Sequence, residues 1–244
     1  FAVDGGELSR PEKASGLELF ANAVMNGGGL KDHSNDELAA IMAGKKVGVG
    51  FSMTDRFFLL SGNTNREDLE TQLQLQTAYL MHPGYRQDGV TLLRRAIPMI
   101  YNKMDHEVQG AMKKQVPAIL YRNNPRFTFP TQEQLTSYQI KDVRDWVDAP
   151  LKNNYMEVTV TGDFRTEDII PLLERTVGAV PKRAEAPATL DETLRHPAMA
   201  DFNFSKDLTY DSSIDKTMVC LFWKTPGGEN KKLARRLNML KAVF

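Results

Sequence analysis

Residues 47–62 read Val-Gly-Val-Gly-Phe-Ser-Met-Thr-Asp-Arg-Phe-Phe-Leu-Leu-Ser-Gly. Val47, Val49, Phe51 and Met53 alternate with small residues, which is the two-residue period of a half-buried strand. Thr54, Asp55 and Arg56 then turn the chain, and residues 57–62 return as a hairpin partner. A hairpin implies antiparallel pairing, so the sheet to which it belongs is antiparallel or mixed.

Working outward, helical signals outnumber strands. Upstream, residues 1–4 form a strand end closed by Gly5 and Gly6. Ser9-x-x-Glu12 is a capping box with Pro11 in the first turn, and Leu17, Phe20, Ala21 and Val24 follow at helical spacing until Gly27. A second box, Ser34-x-x-Glu37, predicts a short helix stopped by Gly44. Downstream, Asn65 is expected to cap a helix through Leu80, which His82-Pro83-Gly84 breaks. Helical periodicity then runs from Gln87 to Tyr121, with a kink expected at Pro98 and a separate helix expected from Asp105. After a loop at 122–130 come short helices at 132–137 and 140–147. A strand follows through Met156, Val158 and Val160, ending at Gly162. An amphipathic helix at 166–177 is closed by Gly178, and residues 181–197 are charged, proline-bearing and aperiodic, as in a linker. Residues 218–223 read as a dense apolar strand and residues 230–244 as a helix. The fold class is therefore α+β: a mixed, mainly antiparallel sheet with helices packed against it.

Composition narrows the function. Thirty-one basic residues balance 31 acidic ones, which argues against a nucleic-acid partner, since phosphate neutralisation needs a basic excess. No apolar run approaches the roughly 20 residues that span a bilayer. The opening residues carry no signal-peptide pattern, and a chain that opens in a strand-like run reads as the middle of a longer polypeptide. Cys220 is the only cysteine, so no internal disulfide forms.

The two ends resemble each other. A strand, Gly5-Gly6-Glu7 and a helix reaching Ala23-Val24-Met25 are matched by a strand, Gly227-Gly228-Glu229 and a helix reaching Ala242-Val243-Phe244. Read as a domain repeat, this predicts one domain at 1–180, a linker and connecting segment at 181–209, and the truncated start of a homologous domain at 210–244.

Gly28-Gly29-Leu30, Ser34-x-x-Glu37-Leu38 and Ala43-Gly44-Lys45-x-Val47-x-Val49 resemble the second-half domains of insulinase-like (pitrilysin-family) zinc peptidases. The likeness continues through Leu60-x-Gly62, Asp68-Leu69-Glu70, Leu73-Gln74-Leu75, Tyr79-Leu80, Pro83-Gly84-Tyr85 and Gly162-Asp163-Phe164. The nearest pattern is that of bacterial, periplasmic-type members. The resemblance implies that a peptide substrate is enclosed between two halves of one polypeptide, and that only the first half holds zinc. It also implies a periplasmic or secreted location.

The family's site is His-x-x-Glu-His on one helix with a later glutamate ligand. The spacing puts both histidines on one face, and the intervening glutamate serves as general base for a zinc-bound water. Here Leu19 and Ala23 stand at the histidine positions and Asn22 at the base, while the later glutamate falls at the apolar Met99 and Ile100. An amide accepts no proton. The expectation is no catalytic, cofactor or metal residue in this segment, with zinc confined to the parent's first half. The other candidates read as structural. His33, His82, His106 and His196 do not pair at helical spacing, and Gly110 stands where a partner for His106 would be. Cys220 is expected to be buried and inert, and Arg94, Arg95, Arg235 and Arg236 to be solvated helical faces. The run at 27–29 lacks the Gly-Lys-Ser/Thr of a phosphate cradle, which leaves loop flexibility as its account. Two functions remain: a non-catalytic, substrate-enclosing domain of a larger zinc endopeptidase, or a scaffold or binding domain of a catalytically inactive member.

Overall fold

The computed structural model describes residues 1–189, 191–201, 203–212, 216–225 and 230–241. Four strands form one sheet in the order β2-β3-β1-β4: β1 (Ala2–Asp4), β2 (Gly50–Met53), β3 (Phe57–Ser61) and β4 (Met156–Glu157). Every described pairing is antiparallel, with Val3 opposite Phe58 and Phe51 opposite Leu60. Alternation does what the hairpin sequence promised. Phe51, Phe58 and Leu60 are buried while Ser52 and Ser61 are exposed.

Helices α1 (Leu17–Gly27), α3 (Leu69–Met81) and α7 (Ile140–Asn153) pack on β2, β3 and β1 respectively. A second helical layer follows. α4 (Gln87–Asp105) lies on α1, α5 (Val108–Leu120) and α6 (Gln132–Ser137) lie on α4, and α8 (Thr166–Arg175) lies on α3. Short α2 (Asn35–Ile41) starts at the Ser34 capping box, which forms as expected. α9 (Glu192–Arg195) and α10 (Lys231–Lys241) complete the described helices. The apolar stripe of α1, Leu17-Phe20-Ala21-Val24-Met25, is buried throughout. It meets a core whose centre is Phe58, edge-on to Trp146 at 5.5 Å and stacked with Phe51 at 6.0 Å.

Several local expectations are corrected. Ser9 caps no helix: its hydroxyl donates to Gly6 O and accepts from Trp146 Nε1, and α1 starts only at Leu17. The strand expected from Val47 begins at Gly50. Gln72, buried on α3, inserts its amide between the strands, accepting from Gly48 N–H at 2.9 Å and donating to Gly48 O at 2.8 Å. A Cβ on Gly62 would lie 2.0 Å from that amide nitrogen, so Gly62 is what admits it. Asn65 closes a turn by accepting from Asp68 N–H, and the helix starts at Leu69. Asp105 ends α4 instead of opening α5, and α7 continues past Val147 to Asn153. β4 stops at Glu157, short of Val158 and Val160. Gly178 lies within a 3-10 turn, Val177–Ala179. Residues 218–223 form no strand; they run along α5 with Val219 82% and Trp223 74% exposed. Both Gly227-Gly228-Glu229 and Ala242-Val243-Phe244, on which the repeat depends, lie outside the described residues.

Candidate functional site

The helix face that would carry a metal is the solvent-leaning side of α1, at Leu19, Asn22 and Ala23. α1 and α4 approach closely because two glycines meet: a Cβ on Gly27 would lie 2.4 Å from Gly89 Cα, and one on Gly89 would lie 2.0 Å from Ala23 O. The Gly27–Gly29 run is therefore packed and not flexible. Gly28 and Gly29 bring the chain against Arg86, Tyr85 and His33, with Gly29 at φ +61°, a conformation open to glycine at no steric cost.

On this face Leu19 is 38% exposed and Asn22 and Ala23 are half-buried, while Met99 and Ile100 of α4 are exposed. Two alkyl side chains supply no lone pair to a zinc ion, which takes sulfur, imidazole or carboxylate ligands. The set does not fit the family's metal. Asn22 is held structurally, its main-chain oxygen accepting from Asn26 Nδ2 at 2.8 Å.

The histidines sit at four separate places. His33 precedes the Ser34 cap, and His82 ends α3, giving its N–H to Ala78 O. His106 ends α4 with Nδ1 2.7 Å from Asn102 O and Nε2 3.8 Å from Asp211. His196 lies beyond α9. Among the described residues no three histidine, cysteine, aspartate or glutamate side chains could hold one ion. Cys220 is exposed, contrary to expectation, because its apolar segment finds no sheet to enter. Arg94 is also not a solvated residue: it is half-buried and donates to Thr136 O and Tyr138 O, tying α4 to the end of α6. Arg235 and Arg236 are exposed.

Two polar features were missed by sequence reasoning. Buried Arg10 pairs with Glu18 and donates to Arg126 O, pinning the 3-10 turn Glu7–Ser9 near α1. Buried Asp4 accepts from Arg56 Nε at 3.2 Å and from Ala188 N–H at 2.8 Å. A concave cavity of about 650 Å³ lies between α5, at Val108, Met112 and Val116, and residues 204–223.

A sequence profile described as the peptidase M16 inactive domain matches residues 137–244, from the end of α6 through α7, β4 and α8 to the C-terminal helix. Over that stretch the chain is similar to the inactive domain of the M16 peptidases. It is similar to the chloroplastic stromal processing peptidase of Pisum sativum, at 21% identity over 68% of this chain and 14% of the relative. The fold is similar to the periplasmic protease PqqL from Escherichia coli, with TM-score 0.60 and 17% identity over 86% of this chain and 22% of that one. It is similar also to a structure of the first half of PqqL alone, with TM-score 0.58 and 14% identity over 77% of this chain and 42% of that one. The chain spans about one seventh of its pea relative. The same fold recurs in that first half, so fold alone does not place the chain in either half.

Proposed function

We propose that this chain is a non-catalytic, substrate-enclosing domain from the second half of a larger insulinase-like zinc endopeptidase. In this reading the zinc-bearing first half of the same polypeptide hydrolyses the peptide, and the peptide is enclosed between the halves. The observation that carries it is the α1 face, where Leu19, Asn22 and Ala23 replace the two histidines and the base while the helix itself keeps its packing. Relatives described as a processing peptidase and a protease support proteolysis as the activity of the whole protein. When bound in the first half, zinc would supply a polarised water nucleophile. The residues of this domain take no part in that step. They contribute a wall that excludes water and limits how the peptide lies. The division at 1–180, 181–209 and 210–244 belongs to the same proposal. A periplasmic or secreted location follows PqqL, whereas the pea relative is chloroplastic, so cell fractionation decides it.

The test uses the full-length protein. One zinc should be found per polypeptide, lost when a His-x-x-Glu-His outside this chain is changed, with the 244-residue chain holding none. Removing this domain should lower turnover of long peptides severely. Undiminished hydrolysis of those peptides by the remainder would overturn the enclosing role. Absence of His-x-x-Glu-His from the remainder would favour a scaffold.

A further inference from the structure

Beyond α9 stands a short motif that neither the core nor the proteolytic reading uses. Residues 203–205 read Asn-Phe-Ser, and Asn203 is the one asparagine in the sequence with serine or threonine two residues on. Asn-x-Ser, with any residue but proline between, is the acceptor signal for N-linked oligosaccharide. An enzyme has to reach that signal in an open stretch of chain, which few places in a packed domain offer. Here Asn203 and Ser205 are exposed and lie in no helix or strand. Among the described residues neither of their side chains has a hydrogen-bond partner. Asp201, two residues before the asparagine, is fully exposed, with Arg122 Nη2 4.0 Å away. The stretch is also held in place. Ala200 N–H donates to Leu120 O at 2.8 Å, at the end of α5, and Phe204 lines the cavity beside that helix.

We propose that Asn203 is an N-glycosylation site, read by a transferase of the bacterial class. The sugar donor is an oligosaccharide carried on a lipid diphosphate. Asn203 Nδ2 bonds to the anomeric carbon of the first sugar and gives up one proton. The bond from that carbon to the diphosphate oxygen breaks, and the lipid diphosphate leaves with the electron pair. The Ser205 hydroxyl completes the signal, and Asp201 names the enzyme class, because bacterial transferases take an acidic side chain two residues before the asparagine. The inference rests on the periplasmic or secreted location proposed above, since such donors are presented on the outer side of the membrane. A glycan at Asn203 would stand close to residues 218–223, which line the same cavity as Phe204 and Ser205. Its polar bulk would shield that exposed apolar run from self-association.

The experiment incubates the folded 244-residue chain with a purified bacterial oligosaccharyltransferase and lipid-linked oligosaccharide, and reads the intact mass. A synthetic peptide covering residues 199–207 is treated alongside. Both should gain the mass of one oligosaccharide. Asn203→Gln and Ser205→Ala should gain none, and Asp201→Ala should lose most of the product; all three substitutions are at exposed positions. Donor and enzyme are added directly, so the outcome does not depend on where the native protein resides, which cell fractionation tests separately. A modified peptide beside an unmodified folded chain would overturn the accessibility of the site. An unmodified peptide, or an Asn203→Gln chain that still gains the sugar, would overturn the site itself. Asp201→Ala modified as fully as the unchanged chain would overturn the assignment to the bacterial class.

Discussion

Gly62 and Gln72 show how one position can decide the length of a strand. The buried Gln72 amide satisfies Gly48 only because residue 62 lacks a side chain. Gly62→Ala should expel that amide, leaving buried polar groups unpaired and costing about 2 kcal/mol, read as a fall in the urea midpoint at unchanged slope. Gly62→Ala combined with Gln72→Ala should recover part of the loss, since the amide that clashes with the added Cβ is then gone. Tyr101 gives a prediction in pH. Its hydroxyl donates to Pro130 O at 2.7 Å; burial, and then the nearby Glu133 carboxylate, push its pKa from 10.0 up to about 12. The unfolded chain releases this proton first, so the contribution is whole below pH 10.0 and fades as pH rises toward about 12. The melting temperature should fall across that window. Tyr101→Phe should flatten part of the fall while costing about 1 kcal/mol at neutral pH, where the bond is simply lost.

Elements are joined by polar side chains that reach main chain from a distance. The proline-bearing segment after α8 is tied down, not loose. Arg183 donates to Leu151 O, Lys152 O and Asn154 O at the end of α7, and Ala184 N–H bonds Asn153 O. Farther along, Asp4 and Arg56 grip the two sides of Ala188, at its N–H and its C=O. The pair is worth more than an exposed ion pair because Asp4 is only 5% exposed. Asp4→Ala leaves Arg56 without its partner and Ala188 N–H without an acceptor. Elastase cleavage at Ala184 and Ala188 should then accelerate about tenfold, the result of easier local opening. An unchanged cleavage rate with an intact melting temperature would show that Arg183 alone holds the segment.

At the scale of the whole molecule, the main apolar cluster among the described residues draws on nothing beyond Val180. Met218, Val219, Leu221, Phe222 and Trp223 remain 40–82% exposed against the side of α5. Removing residues 211–244 should therefore leave the melting temperature of the rest within about 2 °C, since little buried area is lost. The two tryptophans offer an independent check: Trp146 is 6% and Trp223 74% exposed. Acrylamide should quench one emitting population readily and the other poorly, and Trp223→Phe should abolish the accessible one. Metal analysis of the chain should find no stoichiometric zinc, because alkyl groups occupy the ligand positions on α1.

The sequence by itself determined the hairpin, the buried stripe of α1, the Ser34 cap and the lack of a metal ligand at Leu19 and Ala23. Each of these is fixed by neighbours a few residues apart, through strand or helix periodicity or by the chemistry of the side chain alone. Tertiary structure decided where β2 begins, what Ser9 does, how the segment after α8 is held, and that Cys220 stays in solvent. Those outcomes depend on partners far along the chain: Gln72 for Gly48, Trp146 for Ser9, and Asp4 for Ala188. A local polar signal such as Ser9-x-x-Glu12 loses its meaning when a distant group offers the same hydrogen bond in a buried place, where leaving it unmade would cost more. The apolar run at 218–223 spells a strand, but a strand needs a free edge to pair with, and in this chain the middle of the outer edge of β2 is already taken by Asn26.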